Sequence, residues 1–129
     1  MRLKFKGLVE SGDDCRVEDE DKAGAIHIGG VDVVAEMLNH TGRFTFAVAD
    51  QTFDGDLFVS EGWGYSEWTP MESDELKVGN HDLIEILRRY EGQEITLFAF
   101  NEPSNILDDS EWREVKAEEN SNSSQQPQA

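Results

Sequence analysis

The densest chemistry in this sequence is carboxylate. From Phe44 to Leu76 there is no Lys, Arg or His, yet there are eight acids: Asp50, Asp54, Asp56, Glu61, Glu67, Glu72, Asp74 and Glu75. A second run, Glu10, Asp13, Asp14, Glu18, Asp19, Glu20 and Asp21, is relieved only by Arg16. Side chains so concentrated repel one another and lower stability, a cost usually kept for solubility or for a positively charged partner. The whole chain has the same bias: 28 acids against 11 bases give a formal net charge of −17. That sign works against binding DNA or RNA phosphates or an anionic membrane surface, and in favour of a basic protein.

Embedded in the stretch without bases is Gly62-Trp63-Gly64-Tyr65-Ser66-Glu67-Trp68-Thr69-Pro70-Met71. Trp and Tyr are the residue types that most often anchor interfaces, and three of them stand here among small residues and acids. Two readings are open, an aromatic anchor ringed by carboxylates and a hairpin whose aromatics close one end of the core. On the first, the partner-binding candidates are Asp54, Asp56, Glu61, Trp63, Tyr65, Glu67 and Trp68. Asp13, Asp14, Glu18, Asp19, Glu20 and Asp21 of the other run follow.

Other chemistries lack their residues. Asp54-Gly55-Asp56 and the Asp19 to Asp21 run offer hard oxygen ligands, but the spacing lacks the alternating acids and distal Glu of a calcium loop. His27, His40 and His81 form no pair at ligand spacing. Cys15 is the only cysteine; it excludes an intrachain disulfide and a cysteine cage for zinc or iron–sulfur. The surrounding Asp13, Asp14, Glu18 and Asp19 disfavour its thiolate. No glycine loop cradles a phosphate. The expectation is a protein that is not an enzyme and carries no metal or cofactor.

The elements that must position these residues follow from periodicity and from a shift of the chain on itself by fifty. That shift superposes Val9 on Val59, Gly12 on Gly62, Gly29 on Gly79, Asp32 on Asp82, Gly42 on Gly92 and Ala49 on Ala99. Apolar classes also match, as at Leu3/Phe53, Leu8/Phe58, Val34/Ile84 and Met37/Leu87. Each half reads as strand, strand, helix, strand. Strands are expected around Leu3 to Val9, Ala25 to Ile28, Phe44 to Val48, Leu57 to Val59, Leu76 to Val78 and Ile95 to Phe100. Helices are expected from about Val31 to Thr41 and His81 to Glu91, stopped by Gly42 and Gly92, with Asn80 as an N-cap and Asp32 and Asp82 in the first turns.

The predicted fold is therefore α+β, two diverged ββαβ repeats forming a largely antiparallel sheet with two helices on one face. One domain spans 1–116, with halves 2–50 and 52–100 and an extension 101–116; a polar tail over 117–129 has nothing to bury and is expected to be disordered. In the extension, Trp112 and Val115 suit a short edge strand or a helical turn. Phe98 and Phe100 fall on the sheet face away from the helices, where an uncovered aromatic patch points to a partner. The N-terminus, Met1 to Gly7, alternates apolar and basic residues and lacks the apolar stretch of a secretory signal, so the expected compartment is the cytoplasm.

The expected function is a non-catalytic acidic module that binds a basic protein partner. Its sharpest form is an inhibitor that mimics nucleic acid in the basic groove of a DNA- or RNA-binding protein such as a nuclease, in the manner of anti-restriction or anti-CRISPR proteins. That comparison is compositional only, and direct nucleic-acid or membrane binding is not expected. The alternatives are an accessory subunit of a larger assembly and a small carboxylate-dependent enzyme.

Overall fold

Alternation of apolar and polar residues governs the longest elements, and where it breaks the chain turns. The computed structural model describes residues 2–12, 15–16, 24–63, 73–101 and 112–116. Strand β1 (Arg2–Ser11) buries Leu3, Phe5 and Val9 and turns Lys4, Lys6 and Leu8 outward. After β2 (Cys15–Arg16), a hairpin follows of β3 (Ile26–Ile28) and β4 (Val31–Asp32) around Gly29-Gly30, then helix α1 (Val33–Met37) and strand β5 (Arg43–Val48). The order continues with β6 (Gln51–Ser60), β7 (Gly62–Trp63), the hairpin of β8 (Glu75–Val78) and β9 (His81–Asp82), helix α2 (Leu83–Arg88), β10 (Glu94–Phe100) and β11 (Arg113–Val115).

Nine of these strands form one sheet in the order β4-β3-β1-β10-β5-β6-β8-β9, with β11 added to β1, curled into a half-barrel. All ladders along that order are antiparallel, and among the described residues of this sheet only the β1–β11 pair is parallel. Phe5, Phe46, Leu97, Ile26 and Leu76 fill the core with Met37, Leu83 and Leu87 from the helices. Burying each such side chain contributes roughly 1.5–3 kcal/mol.

The ββαβ expectation is corrected. Strand dominates, and the helices have five and six residues rather than the eleven that periodicity suggested, too short to form a layer over a sheet. Val31–Asp32 and His81–Asp82, expected as helix, pair back onto β3 and β8. The β-branched Val31 suits that strand. The N-caps are accordingly Asp32 and Asp82 and not Asn80: Asp32 Oδ1 accepts from Ala35 N–H at 3.2 Å, and Asp82 Oδ1 accepts from Ile84 and Glu85 N–H at 3.1 and 3.3 Å. Nor is β6 a short strand, because it runs unbroken through Asp54-Gly55-Asp56.

The curl has a local cause. At Gly7 and Gly55 the two ten-residue strands pass over the turns of the β3–β4 and β8–β9 hairpins so closely that a Cβ would lie 2.5 Å from the Cα of Gly29 and of Gly79 respectively. Both crossing glycines have positive φ, 143° and 154°, a region closed to other residues. The crossings are locked by Gly29 N–H to Leu8 O at 2.9 Å and Gly79 N–H to Asp56 O at 3.0 Å.

Trp112 settles the choice left open for the extension. It packs edge-on against Phe98 and Phe100 at ring-centroid distances of 4.8 and 5.4 Å, leaving β11 as a strand beside β1. The outer aromatic patch is thus covered by the chain itself, and the large apolar side chains left exposed among the described residues are Leu8 and Phe58. No helix among the described residues is long and apolar enough to cross a membrane. The tail over 117–129 lies outside the described residues.

If the crossings set the fold, Gly55→Ala will cost roughly 2–4 kcal/mol of stability through clash and backbone strain. Gly42→Ala, at φ 92° but with nothing within 4 Å of the added carbon, will cost about 1–2 kcal/mol from strain alone. Urea midpoints at constant slope measure both; equal losses would contradict the role given to the close approach.

Candidate functional site

Of the acids in the two runs, those from Asp13 to Asp21 and from Glu61 to Asp74 belong to the two long connections, one leaving β1 and returning at Ala25, the other leaving β6 and returning at Asp74, while Asp50, Asp54 and Asp56 lie on the β5–β6 hairpin. The roots of the connections meet. Strands β2 and β7, which open the two connections, pair in parallel with Cys15 opposite Gly62 and Arg16 opposite Trp63. A single carboxylate ties the remaining ends: Asp74 Oδ2 accepts from Ala25 N–H at 2.9 Å and Asp74 Oδ1 accepts from Gly62 N–H at 2.8 Å. Ala25 O in turn accepts from Gly12 N–H at 3.0 Å and from Arg88 Nη2 at 3.3 Å. The end of the first connection, the start of the second and the end of the second therefore share one acceptor.

Asp74 is 5% exposed, the buried charged residue among those described. A buried carboxylate is costly unless its oxygens are hydrogen-bonded, and short bonds from backbone N–H groups are the strong, charge-assisted kind. The sequence offered no mark to separate Asp74 from the seven other acids of its stretch; burial alone distinguishes it. Arg88, on the last turn of α2, was likewise invisible as a partner of a backbone oxygen 63 residues away.

The candidate residues divide by position. Asp54 and Asp56 are exposed on the outward side of β6, where Arg43 of β5 faces them; the stretch that lacks bases in sequence meets one in space. Arg43 Nη2 stands 3.4 Å from Asp54 Oδ2 with the two side chains 70% and 66% exposed, so the pair contributes no more than about 1 kcal/mol. Glu61 is half-buried at the root of the second connection, and Trp63 occupies β7 beside Arg16. Tyr65, Glu67, Trp68, Asp13, Asp14, Glu18, Asp19, Glu20 and Asp21 lie outside the described residues.

Beside the roots, a groove of about 320 Å³ runs between β8 and α2, lined in part by Asp74, Glu75, Lys77, Asp82, Glu85 and Arg88. Three of its four carboxylates already have partners: Asp74 joins the connections, Asp82 caps α2, and Glu75 lies 4.0 Å from Lys77. Among the described residues no three His, Cys, Asp or Glu side chains converge on a position that holds a metal ion.

The chain matches no family model, no curated protein and no solved structure.

The charges are polarised along β1. Arg2, Lys4 and Lys6 occupy the outward side of its first half, while Glu10 and the first acidic connection follow its second half. The cations and that connection are separated by a rise of roughly 3.3 Å per residue.

Asp74→Asn keeps the shape but turns one acceptor oxygen into an amide donor facing a backbone N–H. One buried donor loses its partner, which will cost about 1–3 kcal/mol. Hydrogen exchange will accelerate at the Ala25 or Gly62 amide, with the β1–β10 ladder unchanged. Unaltered exchange at both amides would show that Asp74 does not join the connections.

Proposed function

We propose that this chain is a non-catalytic acidic protein-binding module, acting in the cytoplasm, whose two acidic connections together engage a basic partner. In its sharpest form it is an inhibitor that imitates nucleic acid and occupies the basic groove of a DNA- or RNA-binding protein such as a nuclease. The observation that carries the reading is the joining of the two connections at their roots, through the β2–β7 pair and the shared Asp74 carboxylate.

Joined roots matter because electrostatic potential adds over a distance set by screening, about 8 Å at physiological ionic strength. Two acidic segments anchored side by side present a basic partner with one field, where two segments on opposite sides of the molecule would present two weak ones. A competitor of duplex DNA needs such density, since the duplex carries one charge per about 1.7 Å of axis. The net charge of −17 supports fast, steered association with a cationic surface. The accessory-subunit alternative gains nothing from Phe98 and Phe100, which Trp112 covers.

The test is charge reversal. Changing Asp13, Asp14, Glu67 and Glu72 to Lys will weaken binding of the partner captured from cytosolic extract by about tenfold or more, some 1.4 kcal/mol, and flatten its dependence on salt. The captured protein will also bind duplex DNA, and the chain will compete for it. Equal capture by the reversed variant at low and high salt would overturn the proposal.

A further inference from the structure

Strands β1 and β6 are built alike but are not used alike. Each gives one edge to a long partner, β10 and β5 respectively, and each gives the second half of its other edge to a hairpin, β3 and β8. On β1 the first half of that other edge is taken by β11, with Leu3, Lys4 and Phe5 opposite Arg113, Glu114 and Val115. On β6 the corresponding stretch, Gln51 to Gly55, has no strand against it among the described residues.

The backbone groups that face this open edge can be named. Leu57 N–H donates to Gly42 O on the β5 side, whereas Asp56 O accepts from Gly79 on the other. Alternation along the strand then turns the N–H and C=O of Thr52 and Asp54 to the open edge, while Gln51, Phe53 and Gly55 serve the β5 ladder. A row of unpaired donors and acceptors of this kind is a template for a further strand.

The way β11 sits on β1 says what chemistry fits. There the outward Glu114 stands opposite the outward Lys4, and the inward, buried Val115 stands opposite Phe5. On β6 the outward positions are Asp54 and Asp56, so the charge of the occupant must reverse. Inward, half-buried Phe53 lies with its ring centroid 5.0 Å from that of His81, a rim against which an apolar side chain can pack. Arg43 does not satisfy Asp54 fully, because their contact is 3.4 Å long and both side chains are mostly exposed.

We propose that the open edge of β6 at Thr52 and Asp54 is a docking site for an extended segment of a protein partner in which Lys or Arg alternates with apolar residues, added to the sheet as a further strand. The site rests on the reading of the chain as a binder of basic proteins and gives that reading a contact point. Cross-strand opposite charges and ladder hydrogen bonds together supply the register that a diffuse acidic surface lacks.

The probe is a synthetic peptide alternating Val and Lys, with a Val and Glu peptide of equal length as its control and polylysine as a measure of charge alone. Amide NMR on the full chain will place the Val and Lys peptide by shifts and slowed exchange at Thr52 and Asp54, with no binding of the Glu control. Thr52→Pro removes an N–H that faces the open edge and no ladder bond to β5, and leaves the charge unchanged. It will weaken the peptide about tenfold while leaving polylysine binding intact. Asp54→Lys, which keeps the edge N–H, will reverse the preference to the Glu peptide. Preserved amide dispersion establishes that both variants fold. Binding of the Lys peptide that is indifferent to Thr52→Pro would overturn the edge site and spare the acidic-module reading; failure of the wild-type chain to bind either basic probe would overturn both.

Discussion

Two close backbone crossings govern the architecture. Where Gly7 passes Gly29 and Gly55 passes Gly79, there is no room for a β-carbon on the crossing strand, and the strand must adopt a φ that glycine alone tolerates. Because each ten-residue strand bends there, it leaves one set of neighbours and joins another without ending. One sheet can therefore curl around its own contents, and the two short helices plug the concavity instead of forming a layer of their own. A straighter pair of strands would have left Val33, Val34, Met37, Leu83 and Leu87 with nothing to enclose them.

The crossings also fix where the chain leaves the sheet. Beyond Gly7 and Gly55 the strands run on to Ser11 and Ser60, and the two acidic connections start from those ends. Parallel pairing of β2 with β7, and the buried Asp74 that ties Ala25 to Gly62, convert that proximity into a fixed joint. Burying a charge at that joint follows a recognisable logic: a carboxylate can accept from two backbone donors at once, and few other side chains of its size can serve three chain ends. The hydrogen bonds at the root hold Ala25, Gly62 and Asp74 together.

Much of the core was legible in the sequence because it rests on local alternation. Leu3, Phe5 and Val9, or Phe44, Phe46 and Val48, announce their face by period two, and the structure buries them. Helix length was misread because Val33, Val34, Met37 and Leu38 fit a helical face equally well whether the helix starts at Val31 or two residues later. What decides is the Gly29-Gly30 turn, which folds Val31 and Asp32 back onto β3. The unit of strand, strand, helix, strand failed for a related reason: the sequence marks strands but not how many partners each has. At the site, the identity of Asp74 as a joint and the approach of Arg43 to Asp54 depend on contacts between distant segments, to which residue type and spacing are blind. Trp112 found its partners, Phe98 and Phe100, only once β11 was laid beside β1.

The joint between the two connections lies in the β2–β7 pair, and Cys15, the single cysteine, permits a direct measurement there. A nitroxide attached to Cys15 relaxes nearby amide protons according to distance through space, whatever their distance in sequence. Broadening of the Gly62 and Trp63 amides together with those of Gly12 and Arg16 is the predicted result. Broadening confined to the neighbours of Cys15 in sequence, in a chain whose β1–β10 ladder is intact, would contradict the joint and with it the proposed single acidic surface.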